Sequence, residues 1–131
     1  MPRKSANPLT MAEWKVMRTV WEKKSCAARD ICEDLCEPND WSVSTVKTIL
    51  ARLVDKGFLN TTQIGNSFLY KPARSAMKTL TSAADHLLDN TLEGTTGPLL
   101  SYMVKNSKLT EEDIDELISL LKKHKEGENK T

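Results

Sequence analysis

The chain has 131 residues, a formal net charge of +1 and 39% hydrophobic residues. This length fits one domain, or a small domain with an attached assembly segment. The sequence has no apolar run of the roughly 18 residues that a membrane-spanning helix needs, and its polar N-terminus lacks the apolar stretch of a signal peptide. We therefore expect a cytoplasmic protein without membrane insertion.

The small net charge conceals a difference between the two halves of the chain. Residues 1–74 carry 12 Lys and Arg against 8 Asp and Glu, whereas residues 75–131 carry 7 against 10. A basic first half and an acidic second half favour a polyanion-binding module joined to a segment that does not touch the polyanion.

The first 40 residues predict two helices. Thr10 and Glu13 have the spacing of a capping box, and the helix that they begin carries an apolar stripe until it ends near Lys24. A second helix is expected over residues 25–37. A turn at residues 38–40 is expected to end it, because proline and Asn/Asp are typical turn residues.

A third helix and a β-hairpin follow. Ser42 is a suitable N-cap, and apolar residues at helical spacing continue to a glycine stop at Gly57. Two strands, residues 58–64 and 67–71, flank the turn pair Gly65-Asn66.

The second half predicts three further helices with apolar stripes and little core of their own. Such helices need a partner, and a second copy of the chain supplies one by using the same surface twice. We therefore predict a homodimer. The residues expected to hold it together are Leu80, Leu87, Leu99, Leu100, Met103, Ile114, Leu117 and Leu121.

The predicted fold is mainly α with a small β-hairpin: a winged helix-turn-helix followed by a helical dimerisation segment. We place the winged-helix DNA-binding domain at residues 1–72. The helical dimerisation domain, with a flexible C-terminal tail, is placed at residues 73–131. Leu59 and Phe68 on the two strands are expected to pack back on the helices.

The outward face of the third helix predicts contact with double-stranded DNA. It presents short hydroxyl side chains and cations, which allow close approach to the major groove and reach bases or phosphates. The hairpin that follows it is typical of a wing lying beside the groove. The candidate DNA-binding residues are Ser42, Ser44, Thr45, Lys47, Thr48 and Arg52 on the helix and Asn66 on the wing.

No arrangement of catalytic residues and no phosphate-binding glycine loop occurs, so we predict neither an enzyme nor a bound cofactor or metal. The three cysteines are interpreted as small packing residues and not as a disulfide framework. An alternative is a thiol- or metal-responsive regulator that uses Cys32 and Cys36. A further alternative is a winged-helix module whose third helix binds a protein.

Three segments resemble the penicillinase and methicillin-resistance repressors of the BlaI/MecI family: LTMAEWKVMRTVWEKKS, DWSVSTVKTILARLVDKGFL and GNSFLYKP. The resemblance is strongest over residues 9–72 and continues more weakly to the last helix. It implies a homodimeric winged-helix repressor on an inverted-repeat operator, with DNA-reading residues between Ser42 and Arg52. The family usually has proline where this chain has Val43, and often a longer polar residue where it has Ser44.

The resemblance also implies release by an upstream sensor. Antibiotic-responsive members of the family respond to a membrane sensor protease pathway, through cleavage of an Asn-Phe bond in the dimerisation segment. The corresponding residues here, 100–104, read Leu-Ser-Tyr-Met-Val and contain no Asn-Phe. A copper-responsive branch of the family uses a C-terminal Cys-x-Cys motif, and the C-terminal tail here has no cysteine.

Overall fold

A computed structural model describes residues 9–130 of the chain, with side chains described through residue 127. The described chain forms six helices and one antiparallel hairpin, which confirms the predicted mainly α, winged-helix fold. The helices and strands are α1 (Met11–Lys23), α2 (Ala28–Asn39), α3 (Val43–Asp55), β1 (Leu59–Ile64), β2 (Ser67–Pro72), α4 (Ala76–Asp89), α5 (Thr96–Lys105) and α6 (Glu111–Lys130).

Two compact units make up the chain, the first ending at Asp89 and the second beginning at Asn90. Helix α4 thus belongs with the winged helix that precedes it. The functional boundary after residue 72 stays a prediction.

Helix α1 begins at the capping box that the sequence predicted. The Thr10 hydroxyl accepts a hydrogen bond from the Glu13 amide at 3.2 Å, and the Glu13 carboxylate accepts one from the Thr10 amide at 2.8 Å. Two of the amides that a helix start leaves without partners inside the helix are thereby satisfied.

Helix α2 runs two residues further than predicted. Pro38 lies inside its last turn, so the expected break at Pro38 is wrong. The helix ends at Asp40, which has the left-handed conformation (φ 58°) and donates its amide to the Cys36 and Glu37 carbonyls. Asp tolerates this conformation better than most residues, and it therefore supplies the stop.

Helix α3 contributes most to the core shared by the first three helices. Its Ser42 cap is confirmed, and Gly57 beyond its end has a positive φ of 85°, as expected of a glycine stop. The buried apolar residues of the core are Val16, Met17, Val20, Cys26, Ala28, Ile31, Val46, Ile49, Leu50, Leu53, Phe58 and Leu59.

The hairpin places one of its two predicted packing residues in the core. Leu59 is 2% exposed, whereas Phe68 is 46% exposed, so the prediction for Phe68 is wrong. The strand register explains the difference: Leu59 pairs with Pro72 at the base of the hairpin, whereas Phe68 pairs with Gln63 near its tip. Both side chains share one face of the hairpin, but the core lies only against its base.

Helices α4 to α6 bury little. Only Thr79 is buried in α4, and no side chain of residues 90–127 is buried. Helix α5 begins at Thr96, and Pro98 lies in its first turn, where a proline is tolerated.

Cys32 and Cys36, four residues apart on α2, form a disulfide. The expectation that the cysteines form no disulfide is therefore wrong for this pair, whereas both side chains pack against the core as expected. Their spacing brings both side chains to one side of the helix, with the Cα atoms 4.7 Å apart. Cys26 is free and buried, and its burial raises the pKa of its thiol.

Candidate nucleic-acid interface

Helix α3 has one buried and one open face. Val46, Leu50 and Leu53 are fully buried toward the core. The structure brings six of the predicted DNA-binding residues together on the exposed side of this helix and its cap: Ser42, Ser44, Thr45, Lys47, Thr48 and Arg52. Within α3, the one carboxylate is Asp55 in the last turn.

The hydroxyl groups at the start of α3 are partly used within the helix. Ser42 Oγ accepts the Thr45 amide and lies 3.2 Å from the Thr45 hydroxyl. Thr48 Oγ1 donates to the Ser44 carbonyl at 3.1 Å, which directs its oxygen lone pairs outward. The face therefore offers hydroxyl acceptors as well as the donors of its cations.

The two cations on this face are available to a ligand. Within residues 9–127, neither Lys47 nor Arg52 has a carboxylate within ion-pair distance. Both side chains are exposed. An incoming phosphate or guanine edge would therefore not have to displace an internal partner.

Lys15 of α1 lies near the start of α3, a position that no sequence pattern predicted. Its Nζ donates to Asn39 Oδ1 at 2.5 Å and lies 5.9 Å from the centre of the Trp41 ring. Asn39 is the last residue of α2, and Trp41 belongs to the turn that leads into α3. The contact to Asn39 joins residues 24 positions apart, so no local pattern predicts it.

An ion pair joins the start of α1 to the end of α3. Glu13 is 1% exposed, and its Oε1 accepts from Lys56 Nζ at 2.7 Å. Burial raises the pKa of the Glu13 carboxyl, but the hydrogen bonds from Lys56 and Thr10 outweigh burial, so that the pKa lies below its ordinary value. The second oxygen, Oε2, is buried without a hydrogen-bond partner among the described residues. The pair joins the first turn of α1 to the residue that follows α3, the helix called the reading helix below for its proposed role.

The wing presents a neutral tip. Asn66 is exposed at the turn and lies apart from the α3 set, and Gly65 before it has a positive φ of 63°. Residues 59–70 contain no Lys or Arg. Ile64 and Phe68 are 57% and 46% exposed, so the tip offers apolar and amide contacts rather than charge.

The predicted dimerisation residues lie on three helices of the two units. Leu80 and Leu87 are on α4, three residues are on α5 and three on α6. Seven of the eight are exposed, and Leu99 is half-buried.

Clusters of metal-ligating side chains and membrane-spanning helices are both absent from the described part of the chain. Within residues 9–130, no group of three His, Cys, Asp or Glu side chains is arranged to hold a metal ion. No helix in the same range combines the length and apolar character needed to cross a membrane.

Comparison with known proteins supplies the family. A family model described as penicillinase repressor matches residues 9–123. The penicillinase repressor of Bacillus licheniformis is 30% identical over 114 residues, covering 87% of this chain and 89% of that protein. An uncharacterized 16.5 kDa protein of Latilactobacillus sakei is 33% identical, over 89% of this chain and 80% of that one.

A solved structure agrees with these sequence matches. The solution structure of the DNA-binding domain of the repressor BlaI has a TM-score of 0.50 and 31% identity, covering 57% of this chain and 90% of that one. The resemblance to the BlaI/MecI repressors is thereby confirmed. The chain belongs to the penicillinase repressor family and is a DNA-binding transcriptional repressor, not an enzyme.

Proposed function

We propose that the chain acts as a homodimer that reads a palindromic operator with helix α3 and is released by an upstream sensor. The observation that carries this proposal is the open face of α3. That face presents hydroxyl groups and cations for which residues 9–127 supply no ion-pair partner, while the opposite face is buried in the core.

Base reading is assigned to the middle of this face and phosphate contact to its surroundings. Thr45, Thr48 and Arg52 reach base edges, because hydroxyl and guanidinium groups bond to purine edges and the Thr methyl meets the thymine methyl. The amino-terminal end of α3 attracts a phosphate through its backbone dipole. Lys15 lies beside that end and is a second phosphate contact that we add to the sequence-predicted set.

A second copy is the occupant proposed for the uncovered apolar side chains of α4 to α6. Leu117 and Leu121 are 37% and 63% exposed, and Leu100 is 50% exposed. A single chain leaves these side chains in water, whereas a two-fold pairing covers the same surface on both copies. Two reading helices related by a two-fold axis require two half-sites of opposite direction.

Release by an upstream sensor is proposed to act on the second unit. Tyr102 and Met103, in the segment that corresponds to the Asn-Phe of antibiotic-responsive members, are 65% and 48% exposed in α5. Cleavage of the chain at this position would separate α6 from the rest of the repressor and remove its contacts with the second copy. A repressor cut in α5 would then bind each half-site separately and weakly.

A thiol response is a second candidate for the release signal, favoured by the Cys32–Cys36 disulfide. A hydroperoxide would oxidise the two thiols to the disulfide and would itself be reduced to an alcohol and water. The affected helix, α2, packs on α3. Replacing both cysteines by serine should abolish any difference in DNA binding between reduced and peroxide-treated protein, with Cys26→Ala as the control. An unchanged difference would exclude this candidate.

The experiment for the proposed reading face is a titration of the purified full chain with an operator selected from random duplex DNA. Arg52→Ala and Thr45→Ala should each weaken specific binding by about 1–3 kcal/mol, or roughly 5- to 150-fold. The matched control is Lys123→Ala, which removes an exposed cation from α6.

Salt dependence separates DNA reading from protein binding by the same face. The affinity of the wild-type chain for its operator should fall steeply with salt, since each neutralised phosphate releases counterions. Equal specific affinity of the Arg52 and Thr45 variants and the wild type would show that the assigned face is wrong.

A further inference from the structure

The three residues that join the wing to α4 are held at several points. The Ala73 amide donates to the Phe58 carbonyl at 2.8 Å, and Trp21 Nε1 of α1 donates to the Arg74 carbonyl at 3.0 Å. The Arg74 guanidinium carbon lies 4.4 Å from the centre of the Phe58 ring. We call residues 73–75, with these contacts, the root of α4.

The partners of the root belong to the rigid part of the winged helix. Phe58 is 5% exposed and is part of the core. It follows Gly57, the stop of the reading helix, and a Cβ on Gly57 would lie 3.5 Å from Arg74 Nη2. Arg74 therefore stacks on Phe58 and lies close to Gly57, three and two residues beyond the last residue of α3, so the root is tied to the end of α3 and not only to the wing.

The first turn of α4 is fastened to the same root. Ser75 Oγ accepts the Lys78 amide at 3.1 Å, and Thr79 Oγ1 donates to the Ser75 carbonyl at 3.0 Å. Thr79 is the one buried residue of α4, and the side chains beyond it are exposed or half-buried. These contacts, together with the burial of Thr79, fix the beginning of α4 against the rest of the winged helix.

We infer that Arg74 is a positioning residue that sets the direction of α4 relative to the reading helix, and thereby the half-site spacing that the dimer accepts. This inference rests on the proposed function, in which the chain dimerises on an inverted repeat. Arg74 acts here through α4 and does not touch the DNA.

The length of α4 makes the spacing sensitive to small changes at the root. Its 14 residues span about 21 Å at a rise of 1.5 Å per residue. A change of about 10° at the root moves the far end of such a helix by about 4 Å, close to the rise of one base pair. A contact too weak to decide folding is therefore able to decide spacing.

The expected effect of removing the guanidinium is moderate. A cation over an aromatic ring at an exposed site changes an equilibrium by about two- to fivefold. Wild-type chain should discriminate its preferred half-site spacing from spacings one base pair longer or shorter. Arg74→Ala should reduce that discrimination by about two- to fivefold. Arg74→Lys, which keeps the cation, should retain most of it.

The test measures full-length wild type, Arg74→Ala, Arg74→Lys and Trp21→Phe on two kinds of duplex. The first kind carries a single half-site, and the second carries two half-sites at spacings varied by one and two base pairs. Half-site affinity should be equal for all four proteins. Spacing discrimination should fall for Arg74→Ala and for Trp21→Phe, which loses the donor to the root while keeping an aromatic ring.

The outcomes distinguish the role of Arg74 from the proposed binding of an inverted repeat by a homodimer. If the wild-type chain shows no preference for paired half-sites, the proposal that a homodimer binds the operator is wrong. A wild-type preference that Arg74→Ala keeps unchanged refutes only the inference. A loss of single half-site affinity in Arg74→Ala that Arg74→Lys restores would make Arg74 a direct phosphate contact, which also overturns the positioning role.

Discussion

The core of the first unit and the helices of the second unit place their apolar side chains in opposite ways. In the first unit, residues such as Val20, Leu50 and Leu53 are fully buried in a core that three helices and the base of the wing close. In the second unit, Leu92 and Leu121 are 78% and 63% exposed, and no side chain of residues 90–127 is buried. Both units have apolar stripes at helical spacing, so the stripe alone does not tell whether a helix is covered by its own chain.

The two units therefore differ in the source of the free energy that stabilises them. Burying one large apolar side chain contributes about 1.5–3 kcal/mol, and the first unit obtains this from its own residues. The second unit obtains it only when another surface covers the helices. Stability of the first unit should therefore be independent of protein concentration, whereas order in the second should depend on it.

Two leucine-to-alanine substitutions, one in the core and one on the surface, test this contrast. The core substitution should have the largest effect on the free energy of unfolding. Leu50→Ala should lower the free energy of unfolding of the first unit by about 2–5 kcal/mol, because the side chain is fully buried. Leu121→Ala should leave that value unchanged but weaken dimerisation. Urea denaturation followed by tryptophan fluorescence measures the first quantity, since the three tryptophans lie in residues 1–41. Equal effects of the two substitutions on unfolding would contradict the contrast.

The buried carboxylate of the first unit predicts a pH dependence. Glu13→Gln should lower stability by about 1–3 kcal/mol at neutral pH, because it weakens the hydrogen bond from Lys56. The folded pKa of Glu13 is depressed, so its contribution is complete above its unfolded pKa of about 4.3 and is lost as pH falls through the folded value. The difference between wild type and variant should therefore shrink below about pH 4.

The control for this pH profile is Glu22→Gln, which changes an exposed carboxylate on the same helix. That variant should follow the wild-type stability curve across the same range. A Glu13→Gln curve parallel to wild type down to pH 3 would show that the ion pair does not contribute as assigned.

The smallest expected effect is that of Lys15 on DNA binding. Lys15 is held beside α3 by packing between helices, whereas cations of the second unit are not. Lys15→Ala should reduce the salt dependence of DNA binding by about one unit of slope and weaken all sequences alike. Lys108→Ala, an exposed cation of the second unit, should change neither quantity. Binding measured over a range of potassium chloride concentrations gives both slopes. Identical slopes for Lys15→Ala and wild type would remove Lys15 from the interface.

The local features of the fold were predictable from the sequence. The Thr10–Glu13 capping box, the Ser42 cap and the glycine stop at Gly57 depend on residues three or fewer positions from the helix ends, and all three are confirmed. The exposed α3 face followed from the same periodicity that identified the buried one.

Features that depend on distant contacts were missed. Phe68 has the residue type and the strand face of a core residue, but the end of the core along the hairpin is a matter of packing. Lys15 meets the start of α3 only because α1 and α2 pack together, and Arg74 meets Phe58 only because the wing folds back. The last two residues of α2 depend on a stop at Asp40 in the left-handed conformation, which the proline at position 38 does not indicate.

The central claim is that the helices beyond the winged helix hold two copies on one operator. Sedimentation equilibrium of the full chain and of a chain ending at Pro72, which lacks all three helices, tests it most directly when each is measured alone and on a duplex with two half-sites. The full chain should be a dimer that binds the duplex as one unit. The shortened chain should be a monomer that occupies the half-sites independently. A dimer that survives the truncation, or a full chain that binds as separate monomers, would contradict it.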